Sequence, residues 1–398
     1  MPMSALAGLA RFIKGKGAGG VHIDNRLFQL HYRVTTTIFL GASALLCTSS
    51  LFGSPVNCHH SDPDRISKDV INTYCWVTST YTLPHQLAKG DKYPFSDIPF
   101  QGVGTHSATD EKKYHGYYQW VAFVLFLQGM AFYVPHWLWR VAEGRRLSSL
   151  LQQTSVPVLD AEDRARRLSN TVQYLQASLG SYNGYFYRYC ACELLNCINV
   201  VANIFITDRF LNGDFLSYGP RALAYFSGRY GNRASPMTET FPKLTKCNFQ
   251  LVGSSGSVQS IDSICVMALN ILNEKVYLLL WFWLLTLALV SALAFVWRLV
   301  MMSATALRVP MLKRSTELVN PRDLEDVAQR VRLGDFFLFC MMAKNMDAVA
   351  FSQLMAELSH TLTKKPAGEG TIPRAPPIEH TPGQTLVKRN VSHTADAN

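Results

Sequence analysis

Cysteines are the residues of this 398-residue chain with the clearest potential for chemistry. Cys58 and Cys75 lie in one polar stretch between apolar runs, and Cys247 and Cys265 lie in a second. Their spacings, with 16 and 17 intervening residues, match no common zinc pattern, so we expect no metal site and no cofactor. Disulfides persist in loops that face an oxidising space, and four cysteines allow three pairings. Spacing alone leaves those pairings open.

The other residues with potential chemistry do not form an enzyme motif. His59 and His60 follow Cys58 without a further ligand set around them. Phosphate loops, nucleophile elbows and zinc-protease helices are missing from the sequence. The net charge is +10, but no compact basic run with interleaved aromatics occurs, which argues against nucleic-acid binding. We therefore predict that the protein is not an enzyme and that its positive charge lies on one side of a membrane.

Four apolar runs are the elements that must position these residues. Each run is about 20 residues long, enough for a helix to cross a hydrocarbon core of ~30 Å. The second run has aromatic residues such as Trp120 and Trp139 at its ends, where membrane helices meet the headgroups. Pro135 within it favours a helix packed among other helices, which can satisfy the carbonyl that proline frees. We predict membrane spans in contact with lipid at residues 34–53, 120–139, 185–207 and 276–297.

The hydrophilic segments between and beyond these runs complete the predicted fold. They are residues 1–33, 54–119, 140–184, 208–275, 298–363 and 364–398. Residues 54–119 and 208–275 hold the four cysteines, and residues 140–184 and 298–363 have helical patterns. The proline-rich residues 364–398 are typical of a disordered tail. The predicted fold class is an α-helical membrane protein. It has a four-helix transmembrane bundle, a small disulfide-linked α+β extracellular domain and a helical cytoplasmic domain.

Positive charge is unequally distributed between the two sides of the predicted membrane. Residues 1–33, 140–184 and 298–398 together carry a net charge of +9, whereas the two cysteine-bearing segments carry +1. Cytoplasmic loops carry an excess of Lys and Arg. We therefore expect both termini in the cytoplasm and the four cysteines outside the cell. The other cysteines, which would remain free, are Cys47, Cys190, Cys192, Cys197 and Cys340.

The third apolar run carries a stripe of polar residues. Glu193, Asn196, Asn199 and Asn203 fall within one face roughly 120° wide at helical spacing. Polar groups facing lipid are costly, so this face should meet other helices or water. An ion path and interhelical hydrogen bonding both fit this pattern, and we favour interhelical hydrogen bonding.

Several short motifs lie close to the apolar runs. The most distinctive is Tyr117-Tyr118-Gln119-Trp120-Val121 at the start of the second run, which also contains Tyr133-Val134-Pro135. The others are Tyr74-Cys75-Trp76, Gly102-Val103-Gly104, Cys192-Glu193, Asn273-Glu274-Lys275 and Leu280-Trp281-Phe282-Trp283. Together they resemble the signature of the innexins, the gap-junction proteins of invertebrates, over roughly residues 21–360.

This resemblance implies two disulfides, Cys58 with Cys265 and Cys75 with Cys247. It implies a homo- or hetero-oligomer, an octameric hemichannel that docks head-to-head with a hemichannel of the neighbouring cell. Located at plasma-membrane gap junctions, such a channel would pass ions and small metabolites and so couple cells electrically and metabolically. The N-terminal segment would fold into the pore mouth, and the first run would line the pore. Composition alone fits equally a frayed cytoplasmic terminus, and the small and hydroxyl residues of the first run also suit close helix packing. The pore-lining candidates in that run are Thr35, Thr36, Ser43 and Ser50.

Two other functions remain compatible with the sequence. One is a large-pore hemichannel that does not dock, and the other is a four-span adhesion or accessory protein without a pore, like the claudins. The long outer segments and the sizeable C-terminal region weaken the adhesion alternative. The chain's single Asn-x-Ser/Thr motif is Asn390-Val391-Ser392, in the predicted cytoplasmic tail. Outer segments without N-glycans favour docking, because a glycan on a docking face would hold two membranes apart.

Overall fold

Four long helices form the membrane part of the chain. The computed structural model describes residues 21–60, 66–87, 102–105, 107, 109–154, 161–229, 235–316 and 318–364. Within these residues, the helices long and apolar enough to cross a membrane are Arg26–Phe52, Val121–Glu143, Asn183–Phe210 and Leu269–Ser303. The predicted four-helix membrane fold is therefore confirmed. The expectations for residues 1–20 and for the tail after residue 364 lie outside the described residues.

These spanning helices are longer than the apolar runs from which we predicted them. The fourth runs from Leu269 to Ser303 and so carries Glu274, Lys275 and Arg298 near its ends. Glu274 pairs with Lys243 of the preceding loop at 3.1 Å. The helix can extend beyond the apolar run because its charges have partners, Lys243 for Glu274 and Glu193 of the third spanning helix for Arg298.

The first two spanning helices pack closely around Gly129. A Cβ atom at this position would lie 3.1 Å from Cβ of Phe39 and 3.2 Å from Cδ2 of Leu40. The rings of Phe39 and Phe132 lie 5.4 Å apart in the same contact. The second helix continues through Pro135, which is buried. Small residues permit such close approach where lipid supplies no hydrophobic driving force between helices.

At one end of the bundle, the two cysteine-bearing segments form a single antiparallel sheet. Its described strands are β1 (Asn57–His59), β2 (Thr80–Thr82), β3 (Lys113–His115), β4 (Leu244–Val252) and β5 (Val258–Val266). Their order is β1-β5-β4-β2-β3, so strands of the first segment flank a hairpin of the second. The accompanying helices are Lys68–Thr78, Pro84–Leu87, Phe215–Phe226 and Pro236–Thr240. We name this unit the disulfide domain, and its α+β architecture agrees with the predicted fold class.

At the other end of the bundle lies a helical domain, as the predicted fold class requires. Its described helices are Arg146–Thr154, Ala161–Ser178, Arg308–Ser315, Pro321–Arg330, Leu333–Asn345 and Ala348–Lys364. Pro321–Arg330 illustrates why they form: the Asn320 side chain accepts a hydrogen bond from the backbone N of Arg322, and Pro321 occupies the first turn. Its buried residues are Leu324, Val327 and Ala328.

The helical domain docks on the turn that precedes the third spanning helix. Asp335 accepts hydrogen bonds from the backbone N of Gly180 at 2.9 Å and of Arg332 at 3.1 Å. The backbone N of Gly334 donates to Oδ1 of Asn183 at 3.0 Å. A Cβ atom at Gly334 would lie 2.3 Å from the backbone of Tyr182, so the approach requires glycine. The domain is therefore fixed to the membrane bundle by backbone contacts as well as by apolar packing.

Candidate channel and docking site

Two disulfides join the two cysteine-bearing segments into one unit. Cys58 bonds to Cys265 on the paired strand β5, and Cys75 bonds to Cys247 on β4. All four cysteines are buried, and the joined positions are 207 and 172 residues apart in the chain. These are the pairs that the resemblance implies. The disulfide domain is therefore one covalently joined unit to which both segments contribute.

The sulfur atoms also pack against one another. Sγ atoms of Cys58, Cys75 and Cys265 all lie within 4.8 Å of each other. Such a cluster of thiolates could hold a metal, but all three sulfurs are bonded in disulfides and none is a thiolate. The cluster therefore serves as the covalent centre of the domain.

Tyr118 and Gln119 of the pentapeptide secure the helix Lys68–Thr78. The Tyr118 hydroxyl donates to the carbonyls of Cys75 at 3.1 Å and Trp76 at 3.3 Å. The Gln119 amide donates to the carbonyls of Trp76 and Val77. The last carbonyls of a helix have no partner within it, so these side chains act as its C-terminal cap. The signature thus connects the disulfide domain to the start of the second spanning helix.

The rest of the pentapeptide connects to the second segment and to the membrane surface. Tyr117 donates to the carbonyl of Thr240 at 3.4 Å, and its ring meets Phe241 edge-on at 5.7 Å. Val121 is buried, whereas Trp120 is exposed at the helix start, where an indole suits the headgroup level. The pentapeptide is therefore a structural junction.

Glu193 of the third spanning helix is the centre of a polar contact at the helical-domain end of the bundle. Its carboxylate accepts from Nε and Nη2 of Arg298, both at 2.8 Å, and from Nδ2 of Asn25, also at 2.8 Å. A bidentate guanidinium–carboxylate pair satisfies both charges in a site poor in water. The contact joins the third helix to the fourth and to the segment before the first.

The asparagines of the same face bond within the third helix, and Thr207, one turn beyond Asn203, makes the bond to a neighbouring helix. Nδ2 of Asn203 donates to the carbonyl of Asn199 at 2.8 Å, and the Thr207 hydroxyl donates to the carbonyl of Asn203 at 2.8 Å. Thr207 in turn accepts from Nε2 of Gln128 on the second helix at 2.9 Å. Oδ1 of Asn196 has no hydrogen-bond partner in the described chain; the residue borders a cavity of about 20 Å³, room for one water. On this face Glu193 bonds to another spanning helix, whereas Asn199 and Asn203 bond to each other, so interhelical hydrogen bonding by the asparagines stays a prediction.

The structure does not support a pore-lining role for three of the four candidates. Thr35 accepts from Nε1 of Trp283 at 2.9 Å, and Ser43 donates to the carbonyl of Ala122 at 2.7 Å. Both residues and Thr36 are buried inside the subunit, so they cannot face a pore between subunits, and the prediction was wrong for them. Ser50 is half-buried. In the half of this helix nearer the disulfide domain, the exposed positions are Gly41, Ala44, Leu45, Cys47, Thr48, Leu51 and Phe52.

Sequence reasoning missed a clamp that holds residues 22–25. Asn345 of the helical domain accepts from the backbone N of His22 at 2.6 Å and donates to its carbonyl at 2.8 Å. Nε1 of Trp139 donates to the carbonyl of Ile23 at 2.9 Å, and Asp24 lies 3.5 Å from Nδ1 of His136. No motif marked these residues, because the partners lie more than 100 positions away in the chain. The segment leading to residues 1–20 is thus anchored at the helical-domain end.

Comparison with known proteins identifies the family. A sequence model of the innexin family matches residues 24–362. The chain is 39% identical to Innexin inx3 of Drosophila melanogaster over 375 residues, covering 93% of this chain and 90% of the relative. It is 38% identical to Innexin inx2 of Schistocerca americana over 346 residues, covering 87% and 95%. It is 35% identical to Innexin shaking-B of Drosophila melanogaster over 343 residues, covering 86% and 91%. The resemblance is confirmed, and the chain belongs to the innexin family, whose members form gap-junction channels.

Proposed function

We propose that this innexin forms octameric hemichannels that dock head-to-head with hemichannels of the adjacent cell and pass ions and small metabolites. A single four-helix subunit does not enclose a wide aqueous pore, so conduction requires a ring of homomeric or heteromeric subunits. In this proposal, both termini and the helical domain lie in the cytoplasm, and the disulfide domain lies outside the cell.

The construction of the disulfide domain is the observation that supports docking most strongly. Cys58–Cys265 and Cys75–Cys247 bind the two segments into one unit at one end of the bundle. The β4–β5 hairpin extends beyond its flanking strands: β2 meets β4 at Lys246, and β1 meets β5 only from Ile264 to Val266. Near the hairpin tip, Val252 and Val258 are 67% and 61% exposed. We infer that this half of the hairpin reaches towards the opposed hemichannel.

A single glycan tests this docking surface. Ser255→Asn creates an Asn-Gly-Ser glycosylation motif in the exposed hairpin turn. Because the glycan is bulky and hydrated, we expect loss of junctional current and dye transfer between paired cells, with hemichannel currents retained. The matched control is Ser255→Asn with Ser257→Ala, which carries the same asparagine without the motif and should couple normally.

The outcomes separate the alternatives. A glycan confirmed by gel shift, together with normal coupling, would contradict docking through the hairpin. Absence of the glycan would contradict the outside location of the disulfide domain. Hemichannel current without coupling in the wild-type chain would indicate a non-docking channel. If the wild-type chain gives neither hemichannel current nor coupling, although the protein is at the surface of both cells, the adhesion or accessory function is favoured.

We further propose that the exposed face of the first spanning helix lines the pore in its outer half. Ala44, Cys47 and Thr48 are exposed on this helix and do not pack into the subunit. The fourth helix is free of charge from Val276 to Trp297, and its exposed apolar residues suit lipid instead. A wide pore of this kind would select by diameter and by wall charge.

A further inference from the structure

The helix Phe215–Phe226 packs one side tightly against the fourth spanning helix. A Cβ atom at Gly219 would lie 2.1 Å from the Trp281 ring, so glycine permits direct contact between backbone and indole. Nε1 of Trp281 donates to the carbonyl of Leu216 at 3.4 Å. The hydroxyl of Tyr218 donates to the carbonyl of Glu274 at 3.1 Å. The contact therefore extends from Glu274 to Trp281 along the spanning helix.

The contact with Trp281 lies within the charge-free part of the fourth spanning helix. Lys275, whose side chain is 65% exposed, is the last charged residue before the charge-free run that starts at Val276. Trp281 lies six residues beyond Lys275, which corresponds to ~9 Å of helical rise. Helices that lie in a membrane surface bury their apolar face by about 5–10 Å. Measured from Lys275, the part of the helix around Leu216 and Gly219 therefore falls at a depth that suits a helix lying in the membrane surface.

The exposed side of the helix carries apolar residues, as contact with lipid requires. Leu216 and Leu223 are 43% and 49% exposed, and exposed Pro220 lies between them on the same stripe. On the neighbouring flank, Arg221 pairs with Asp214 at 3.4 Å and with Glu239 at 3.1 Å. The polar flank is therefore neutralised within the disulfide domain, and the apolar stripe remains exposed.

The apolar surface of the fourth spanning helix continues this stripe. Leu279 and Phe282 are exposed on the same stretch of helix that contacts Gly219 and Leu216. Because that stretch carries no charge, lipid is the occupant that suits it. The same lipid surface would then cover Leu216, Pro220 and Leu223.

We propose that Phe215–Phe226 is an in-plane membrane helix of the leaflet facing the disulfide domain, with its stripe of Leu216, Pro220 and Leu223 in contact with lipid. Asp214, at its start, also pairs with Lys113 of β3 at 2.8 Å. The helix is therefore tied to the sheet as well as to the fourth spanning helix. It fixes the height of the disulfide domain above the bilayer.

Spin labelling of the full-length channel tests this proposal. A nitroxide is attached to the stripe at Leu223→Cys or to the water-facing flank at Ser217→Cys. Both variants are made in a protein whose exposed Cys47 is replaced by serine. Label bound by that protein alone is subtracted. In phosphatidylcholine nanodiscs, we expect the Leu223→Cys label to collide more with oxygen than with a water-soluble nickel chelate. The Ser217→Cys label should show the reverse. Leu216→Cys provides a second stripe position if Leu223→Cys fails to assemble by size exclusion.

Two results would overturn the proposal. Equal access of the nickel chelate to the stripe and to Ser217→Cys would place the stripe in water. If oxygen and the nickel chelate both reach the stripe label poorly in assembled channels and better in dissociated subunits, a neighbouring subunit covers the stripe.

Discussion

Cys47 tests the proposed pore wall at the scale of a single residue. It is a free, exposed cysteine, whereas the other free cysteines of the described chain are buried or half-buried. We predict that a charged, water-soluble thiol reagent reduces current through open hemichannels, because the adduct narrows the pore and changes its wall charge. Whole-cell recording measures the loss, and Cys47→Ser should be insensitive. Full modification by mass spectrometry without a change in current would place this face away from the pore.

His115 should make the disulfide domain sensitive to acid. Burial lowers the pKa of His115 to about 4 from the ordinary value of 6.5, and the nearby Lys113 cation adds to this effect. Below pH 6.5 the unfolded chain binds a proton that the folded chain excludes, so stability falls as the pH drops from 6.5 towards 4. The loss would reach about 3 kcal/mol.

The variant His115→Gln provides the measurement. Glutamine can replace the imidazole as a partner for the Thr82 hydroxyl, which lies 2.8 Å from Nε2. Thermal unfolding between pH 7 and pH 4 should then depend less on pH than in the wild type. Identical pH profiles for the two proteins would show that His115 is not the group responsible.

Glu193 shows what sequence can and cannot reveal about a residue. A carboxylate inside an apolar run is unusual enough to predict a contact with other helices or water. Its partners, Asn25 and Arg298, could not be predicted, since each looks like an ordinary polar residue near a membrane end. Only the folded bundle brings them within 2.8 Å of Glu193.

At the scale of elements, the first spanning helix shows that a sequence pattern can predict a membrane span without predicting which of its faces is buried. Its length and composition predict a span, but its small and hydroxyl residues occur on every side of the helix. Helical spacing puts Thr36 and Ser43 on one face and Thr48 on another, but it does not say which of these faces packs inside the subunit. The second spanning helix was easier to predict, because aromatic residues at both ends and an internal proline define it independently.

The clamp at Asn345 leads to a prediction about gating. Asn345→Ala removes both hydrogen bonds to His22, worth together about 2 kcal/mol if each contributes about 1 kcal/mol. Residues 1–20 continue from this point, so we expect a shift in the voltage dependence of opening with unitary conductance unchanged. Single-channel and macroscopic recordings from the same cells measure both quantities.

A conservative variant supplies the control for the clamp. Asn345→Asp keeps the acceptor for the backbone N of His22 and loses the donor, so its shift should be smaller. Equal gating in the wild type and both variants would exclude Asn345 as an anchor of the N-terminal segment.

At the scale of the whole molecule, the disulfides should decide whether the subunit functions. Cys75→Ser breaks the bond between Lys68–Thr78 and β4, and loss of such a bond in a small domain costs about 2–5 kcal/mol. We predict that junctional current disappears. Cys340→Ser should couple normally, because Cys340 is a free cysteine and its replacement breaks no disulfide. Normal coupling by Cys75→Ser protein, with surface biotinylation confirming expression, would contradict the structural role.

The spans between the bonded cysteines also determine when the subunit can mature. A ribosome adds ~5–20 residues per second, so Cys58 waits roughly 10–40 s before Cys265, 207 positions later, is synthesised. In the orientation proposed above, Cys58 and Cys75 are unpaired thiols in an oxidising lumen during this delay, able to pair wrongly with each other. Native pairing is thus a late event in biosynthesis, set by translation of the second segment. A chain released before residue 247 would lack both native partners, so its first two cysteines would stay unpaired or wrongly paired, a signal by which cellular quality control could recognise and retain it.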